Sequence, residues 1–254
     1  MIKRVIPILL YRDQALVKTI KFKEDQYIGD AINAIKIFNE KEVDELVFID
    51  IDATIGLREP DYNLISRIAS ECFMPLTYGG GVTSIEQMKK IYAIGVEKIA
   101  LNSYNFKSLE LLKDAVTLFG GQSVIAAIDF TKTVLGKYRV YDYLNKKATS
   151  FKVDEYIKRL ETTGCGEFLI TDVSREGTLR GYNQEFFKGL ATSTKIPIIA
   201  NGGASSVEDV VQLLNSSEVS AAAASSIFVF QGKHKAVLIT YPGYTYLSKM
   251  LTNV

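Results

Sequence analysis

Pro75-Leu-Thr-Tyr-Gly-Gly-Gly-Val-Thr-Ser-Ile-Glu86 returns later in the chain as Pro197-Ile-Ile-Ala-Asn-Gly-Gly-Ala-Ser-Ser-Val-Glu208, 122 positions on. The same offset of 122 relates Glu45-Leu-Val-Phe-Ile-Asp50 to Glu167-Phe-Leu-Ile-Thr-Asp172, and Ala100-Leu-Asn-Ser103 meets Ala223-Ala-Ser-Ser226 at 123. One offset shared by three separated segments describes two halves, about 1–120 and 121–254, built on one plan. An open doubly wound sheet has no need of such a duplication. A closed barrel with two-fold symmetry accommodates it.

Working outward from these segments, eight apolar runs punctuate the chain: Val5–Leu10, Glu45–Asp50, Pro75–Thr77, Lys98–Leu101, Val124–Ile128, Phe168–Thr171, Pro197–Ala200 and Ala221–Ala224. Most lack polar alternation, as expected of parallel strands covered on both faces. Between them lie helical patterns, such as Asp30–Glu40 and, after a capping Ser206, Val207–Leu214. The expectation is a single (β/α)₈ barrel of the TIM type over residues 1–254, made of two (β/α)₄ halves. Gly136–Tyr143 alternates polar and apolar residues and predicts a hairpin inserted at about 136–145, after the fifth strand.

Bulk properties narrow the function classes. A net charge of +1 offers no global field for nucleic acid or membrane, so any anion must be held locally. No run of 18 uncharged apolar residues predicts a membrane span. In the Met1–Asp13 segment the apolar run Val5–Leu10 is too short for a signal peptide and reads as a buried first strand, and with so few cysteines a reduced cytoplasm is the default compartment. Two cysteines, Cys72 and Cys165, are too few for a disulfide framework and read as small buried residues before strands. A single histidine, His234, argues against histidine-based metal sites and nucleophile pairs; no metal and no cofactor is expected.

In barrels of this kind, chemistry sits where strands end. Gly80 and Gly81 follow the third strand, and Gly202 and Gly203 the seventh. One strand later in each half stand Asn102-Ser103 and Ser225-Ser226. Glycine lets backbone N–H groups approach an anion, and small polar side chains add donors. Two phosphate cradles, spanned by a ligand phosphorylated at both ends, are expected; the alternative is glycines that only make tight turns. Asp50, Asp129 and Asp172 each end a strand and are read as facing the mouth, where partial desolvation fits an acid for proton transfer. Asp129, after an uninterrupted apolar strand, is the best catalytic candidate; the alternative is an acid paired with Lys132. The first strand ends in Leu10, and Asp13 lies on the following loop.

Arg4-Val-Ile-Pro-Ile-Leu, Leu16-Val-Lys18, Gly29-Asp30, Asp44-Glu45-Leu-Val-Phe, Gly79-Gly-Gly, Val124–Asp129, Glu176-Gly-Thr-Leu-Arg-Gly-Tyr182 and Ala200-Asn-Gly-Gly together resemble the cyclase subunit family of imidazole glycerol phosphate synthase over essentially the whole chain. The resemblance implies ammonia delivered by a partner glutaminase, passing along the barrel axis to a phosphorylated imidazole precursor. It implies phosphate contacts from Gly81, Asn102, Gly177, Gly203 and Ser226, with Thr178 beside Gly177, and from Lys18 on the first loop. It also implies two catalytic aspartates, at the ends of strands one and five. Asp129 matches the second, whereas Leu10 replaces the first; Ser174 replaces a further family aspartate after strand six.

Arg4, Glu45, Lys98 and Glu167 match the charged ring that gates the family's ammonia entrance. These residues begin strands and should converge on the bottom face, where the alternative role is stability alone. Leu-Leu at the end of strand one, and the loop Lys18–Phe22, further resemble a divergent branch paired with sugar amidotransferases of surface-polysaccharide synthesis. There the barrel would relay ammonia to a third, ATP-using enzyme. Two other readings stay open: an authentic histidine-pathway cyclase, with Asp13 or Asp50 as substitute acid, and a non-catalytic ammonia conduit.

Overall fold

The computed structural model describes residues 3–251. Eight parallel strands form the barrel wall: β1 (Arg4–Arg12), β2 (Leu46–Asp50), β3 (Leu76–Gly79), β4 (Lys98–Leu101), β5 (Val124–Lys132), β6 (Glu167–Asp172), β7 (Ile198–Asn201) and β8 (Ala221–Ala224). Each pairs with the next, and β8 pairs with β1 through Arg4↔Ala221, so the sheet closes without an edge. The expected (β/α)₈ barrel is what the chain forms.

Parity along the strands decides what each side chain does, because successive residues face opposite sides of the wall. Ile6, Ile8, Val47, Ala100, Ile125, Leu169, Ile199, Ala221 and Ala223 fill the barrel interior. The alternate residues, among them Leu9, Phe48, Phe130 and Phe168, pack outward against the helices in a larger core. Phe48, Phe130 and Phe168 are fully buried, and each such ring contributes roughly 1.5–3 kcal/mol.

The helices that cover the wall are α1 (Ala31–Glu40), α2 (Tyr62–Glu71), α3 (Ile85–Ile94), α4 (Glu110–Phe119), α5 (Val153–Glu161), α6 (Gln184–Ala191) and α7 (Val207–Ser216). Four of them start on a side-chain cap: Asp30 accepts from Asn33 N–H, Asp61 from Leu64, Ser84 from Gln87 and Ser206 from Asp209. Asp30 is therefore the cap of α1 rather than its first residue. Cys165 is buried as expected; Cys72 is half-buried at the end of α2.

Two hairpins rise from the C-terminal end of the wall. The insert expected at 136–145 is larger: Tyr138–Asp142 pairs with the prolonged end of β5 and with Lys147–Lys152. A second hairpin was not expected. Its strands are Ala15–Thr19 and Asp25–Gly29, and the first folds back antiparallel onto the end of β1. Asp13 and Gln14 make the turn between them with φ of 47° and 64°.

Candidate functional site

A cavity of about 480 Å³ opens at the C-terminal end of the barrel. Leu10, Ile49, Gly79, Asn102, Asp129, Thr171 and Asn201 come to it from the ends of β1 to β7. Half of this layer is polar and connected. Asn201 Nδ2 donates to Thr171 Oγ1 at 3.1 Å, and the Thr171 hydroxyl and Asn102 Nδ2 (2.8 Å) both hydrogen-bond the Asp129 carboxylate. Leu10, Ile8 and Ile49 make the facing half apolar. Lys132 lies against the Tyr138 ring, so Asp129 has amide and hydroxyl partners rather than the alternative lysine.

Burial pushes the Asp129 carboxyl up to about 7, against the stabilising bonds from Asn102 and Thr171. Its value in the unfolded chain is near 3.8. Between those values the folded state holds a proton that the unfolded state has released, so stability falls as pH rises through this window. Asp129→Asn, which removes the penalty, is expected to melt progressively higher than the parent between pH 5 and pH 8. The gain at alkaline pH is at most about 4 kcal/mol. A difference in melting temperature that stays flat over this range would show that Asp129 titrates normally.

The other two strand-end acids do not share this environment. Asp50 touches the cavity rim, but its carboxylate turns outward to accept the N–H groups of Asp52 (3.1 Å) and Ala53 (3.0 Å), beside Arg58 at 3.5 Å. Asp172 does not line the cavity; it caps the next loop by accepting from Ser174 N–H at 3.0 Å and from the Ser174 hydroxyl. Both were expected at the mouth. Parity explains the correction: Ile49 and Thr171 take the inward positions, so the residue after each must face out. The two aspartates remain equivalent under the duplication. Gly80 (φ 115°) and Gly202 (φ 99°) lie against their carbonyl oxygens, so closely that a Cβ on either glycine would collide.

The first cradle opens into the cavity: Gly80, Gly81, Asn102 and Ser103 all line it. The second, formed by Gly177, Thr178, Gly202, Gly203, Ser225 and Ser226, does not. The unexpected hairpin packs against its Gly177 side. Lys18 is buried and ion-paired with Glu176, Lys21 N–H donates to the Glu176 carbonyl at 2.9 Å, and Gly177 lies directly against Thr19 and Ile20. Lys18 therefore meets a carboxylate of the sixth loop, not the open cavity.

Sequence reasoning did not find the roof of the site. Arg12 reaches three loops at once: Nε donates to Asp52 at 2.8 Å, Nη1 to Asp25 at 3.2 Å and Nη2 to the Tyr143 hydroxyl at 3.2 Å. Phe22 stands edge-on to Tyr143, with ring centroids 5.6 Å apart, and to Tyr141 at 6.1 Å. The aromatic positions of the inserted hairpin were the only signal for this arrangement.

At the opposite end of the barrel, the four charges expected on the bottom face meet. Arg4 Nη1 binds Glu45 at 2.6 Å and its Nη2 binds Glu167; Lys98 Nζ binds Glu45 at 3.0 Å and Glu167 at 2.8 Å. Cations and carboxylates alternate around a closed ring. Burial alone would raise the pKa of Glu167, but the hydrogen bonds and charges of Arg4 and Lys98 outweigh it and hold the group below the usual glutamate range. The stability this supplies is present above the ordinary glutamate value and is lost as pH falls through the lowered one.

The histidine biosynthesis protein family profile matches residues 4–235. The chain belongs to this family. Its relatives include a Pseudomonas aeruginosa protein provisionally named imidazole glycerol phosphate synthase subunit hisF2, 45% identical over 94% of this chain and 96% of that protein. A similarly named hisF3 protein of Vibrio vulnificus is 43% identical over 98% and 96%. The imidazole glycerol phosphate synthase subunit HisF of Chlorobaculum tepidum is 35% identical over 90% and 91%. Histidine biosynthesis family membership thus extends along the barrel from the Arg4 ring to the last loops. Among the described residues, no helix is long and apolar enough to cross a membrane, and no group of three or more His, Cys, Asp or Glu is placed to hold a metal.

Proposed function

We propose that this chain is the ammonia-receiving barrel of a glutaminase-coupled synthase. It delivers ammonia for amidination of a surface-polysaccharide sugar, with a third, ATP-using enzyme activating the sugar. The observation that carries this reading is the closed Arg4–Glu45–Lys98–Glu167 ring beneath a mouth that Leu10 lines together with the inward-facing Asp129. The relatives named as imidazole glycerol phosphate synthase subunits support the glutaminase partner.

The physical logic runs from bottom to top. A glutaminase seated on the N-terminal face would release ammonia at the ring. Arg4 and Lys98 balance Glu45 and Glu167, so the ring offers no net attraction to ammonium, and the selection for the neutral molecule falls to the layer above. Ile6, Val47, Ile125 and Leu169 above the ring form an apolar layer that an uncharged solute crosses at far lower cost than an ion. At the mouth Asp129, titrating near neutrality, can take up or release a proton at its carboxylate. Ring closure of an imidazole needs a second acid across the site, and Leu10 cannot supply a proton. Glutamine-dependent sugar modification of this kind belongs in the cytoplasm.

The test uses the full chain with a glutaminase partner. The chain should bind the glutaminase and stimulate glutamine hydrolysis. It should leave a histidine auxotroph lacking the cyclase unable to grow. Robust growth would instead favour the histidine-pathway cyclase, and failure to bind any glutaminase would remove the ammonia reading altogether. If Asp129→Asn leaves glutamine-dependent sugar amidination intact while Glu167→Ala disrupts it, the barrel acts as a conduit without chemistry of its own.

A further inference from the structure

Apolar side chains are left in water at one edge of the mouth. Leu57 is 90% exposed and Ile55 is exposed beside it, both on the loop after β2; Leu144 is exposed on the inserted hairpin. Leu57 and Leu144 border the cavity. The two segments are tied together, because the Tyr143 hydroxyl donates to the Ile51 carbonyl at 3.4 Å and Arg12 joins Asp52 to Tyr143. Leu57 is held in place by its own turn. Gly56 N–H donates to the Asp52 carbonyl and Arg58 N–H to the Ala53 carbonyl, each at 2.8 Å, and the Asp50 carboxylate fixes the start of the same turn. The turn sets Leu57 at φ 50°, a left-handed conformation that is strained for a leucine. Folding gains nothing from a leucine there: asparagine or glycine would suit the backbone, and a polar side chain would suit the solvent.

Cations surround these leucines. In the stretches 51–60, 102–107 and 143–147 the exposed charged residues are Arg58, Lys107, Lys146 and Lys147, together with one acid, Glu59. The edge is thus apolar where it meets the cavity and positive around that, which is the anatomy of an interface with a complementary partner. The sign of the charge narrows the partner. A second copy of this chain would set cations against cations. A bilayer would accept both leucines and lysines, but it cannot close over a concave mouth and present a reacting group to it.

We infer that this edge of the mouth docks the ATP-using enzyme that consumes the ammonia, through an acidic surface of that enzyme with an apolar recess for Leu57. This rests on the reading of the barrel as an ammonia relay. Ammonia that reaches an open mouth at neutral pH takes a proton from water and ceases to be a nucleophile, so a relay needs its consumer sealed to the rim. A leucine presented by a fixed turn loses little freedom on docking, and the surrounding lysines steer and orient the encounter.

The experiment reconstitutes the full chain with its glutaminase and the ATP-using sugar enzyme from the same cells, and compares glutamine with ammonium chloride as nitrogen source. The sugar enzyme should co-sediment with the wild-type barrel, less strongly as salt is raised. Leu57→Glu, and Lys146→Glu combined with Lys147→Glu, should each weaken this complex and cut glutamine-dependent product by about ten-fold, the effect of losing one interface anchor. Product from ammonium chloride and stimulation of glutamine hydrolysis should stay at the wild-type level. Leu57→Asn suits the left-handed backbone, so it should melt no lower than wild type and still lose coupling, which separates docking from folding. Glutamine-dependent turnover indifferent to these substitutions would overturn the assignment. So would a chain that sediments as a dimer broken by Leu57→Glu, or one that binds phosphatidylglycerol vesicles through the same residues, since either result gives the edge to another occupant. A sugar enzyme that binds at this edge, beside a glutaminase that the barrel fails to stimulate, would count against the ammonia reading and leave the docking surface standing.

Discussion

Leu10→Asp is expected to raise ammonia-dependent imidazole ring closure by about 10²- to 10⁴-fold over wild type, the range spanned by one positioned acid or base. The substitution returns a carboxylate to the end of β1. There it faces Asp129 across the cavity, flanked by Ile8, Ile49 and Thr19. Few donors stand on that side, so desolvation should raise the new group's pKa and let it work as an acid near neutrality. The measurement is product formation from the ribulosyl-phosphate imidazole precursor with ammonium salts, at a pH that supplies free ammonia. Adding Asp129→Asn to Leu10→Asp should return the rate to background. A rate unchanged by Leu10→Asp would mean that the substrate no longer seats in this mouth.

Glu45→Ala is expected to cost about 3–5 kcal/mol, because it leaves two largely buried cations sharing the one remaining carboxylate, Glu167. Glu45 is 2% exposed and serves Arg4, Lys98 and the Thr77 hydroxyl together. In a barrel of this size the loss corresponds to a fall of roughly 6–20 °C in melting temperature. Glu45→Gln keeps hydrogen-bonding capacity and the volume but not the charge, and should fall between the two. Thermal unfolding followed by circular dichroism checks the order. A loss below about 1 kcal/mol for Glu45→Ala, the scale of an exposed surface pair, would show that solvent reaches the ring freely.

The barrel was legible because duplication leaves a fixed offset, and because buried parallel strands are apolar without interruption. The bottom ring was legible for a related reason: Arg4, Glu45, Lys98 and Glu167 stand at strand starts, and a closed wall brings such positions together whatever the loops do. Position at a strand's end proved a weaker guide. Asp50 and Asp129 both close apolar runs, yet one faces a loop and the other the axis. Only counting parity from a known interior residue separates them. The hairpin against Gly177 was hidden because neither the Asp13-Gln14 turn that leads into it nor its own tip, with Lys21 and Phe22 at left-handed φ, carries a glycine to announce it. The fate of Lys18 followed from that omission, since its partner Glu176 lies 158 residues away on a loop that only the folded chain brings near.

Arg12 ties the first hairpin, the loop after β2 and the inserted hairpin after β5 through a single guanidinium. Three segments sharing one fastener cannot lift independently: releasing any of them leaves the other two with weakened anchorage. Access to the mouth should therefore follow one collective relaxation, with a common exchange rate for labels placed on all three segments, rather than three separate flickers. The residence time of whatever lies beneath would then be set by the lifetime of that shared clasp.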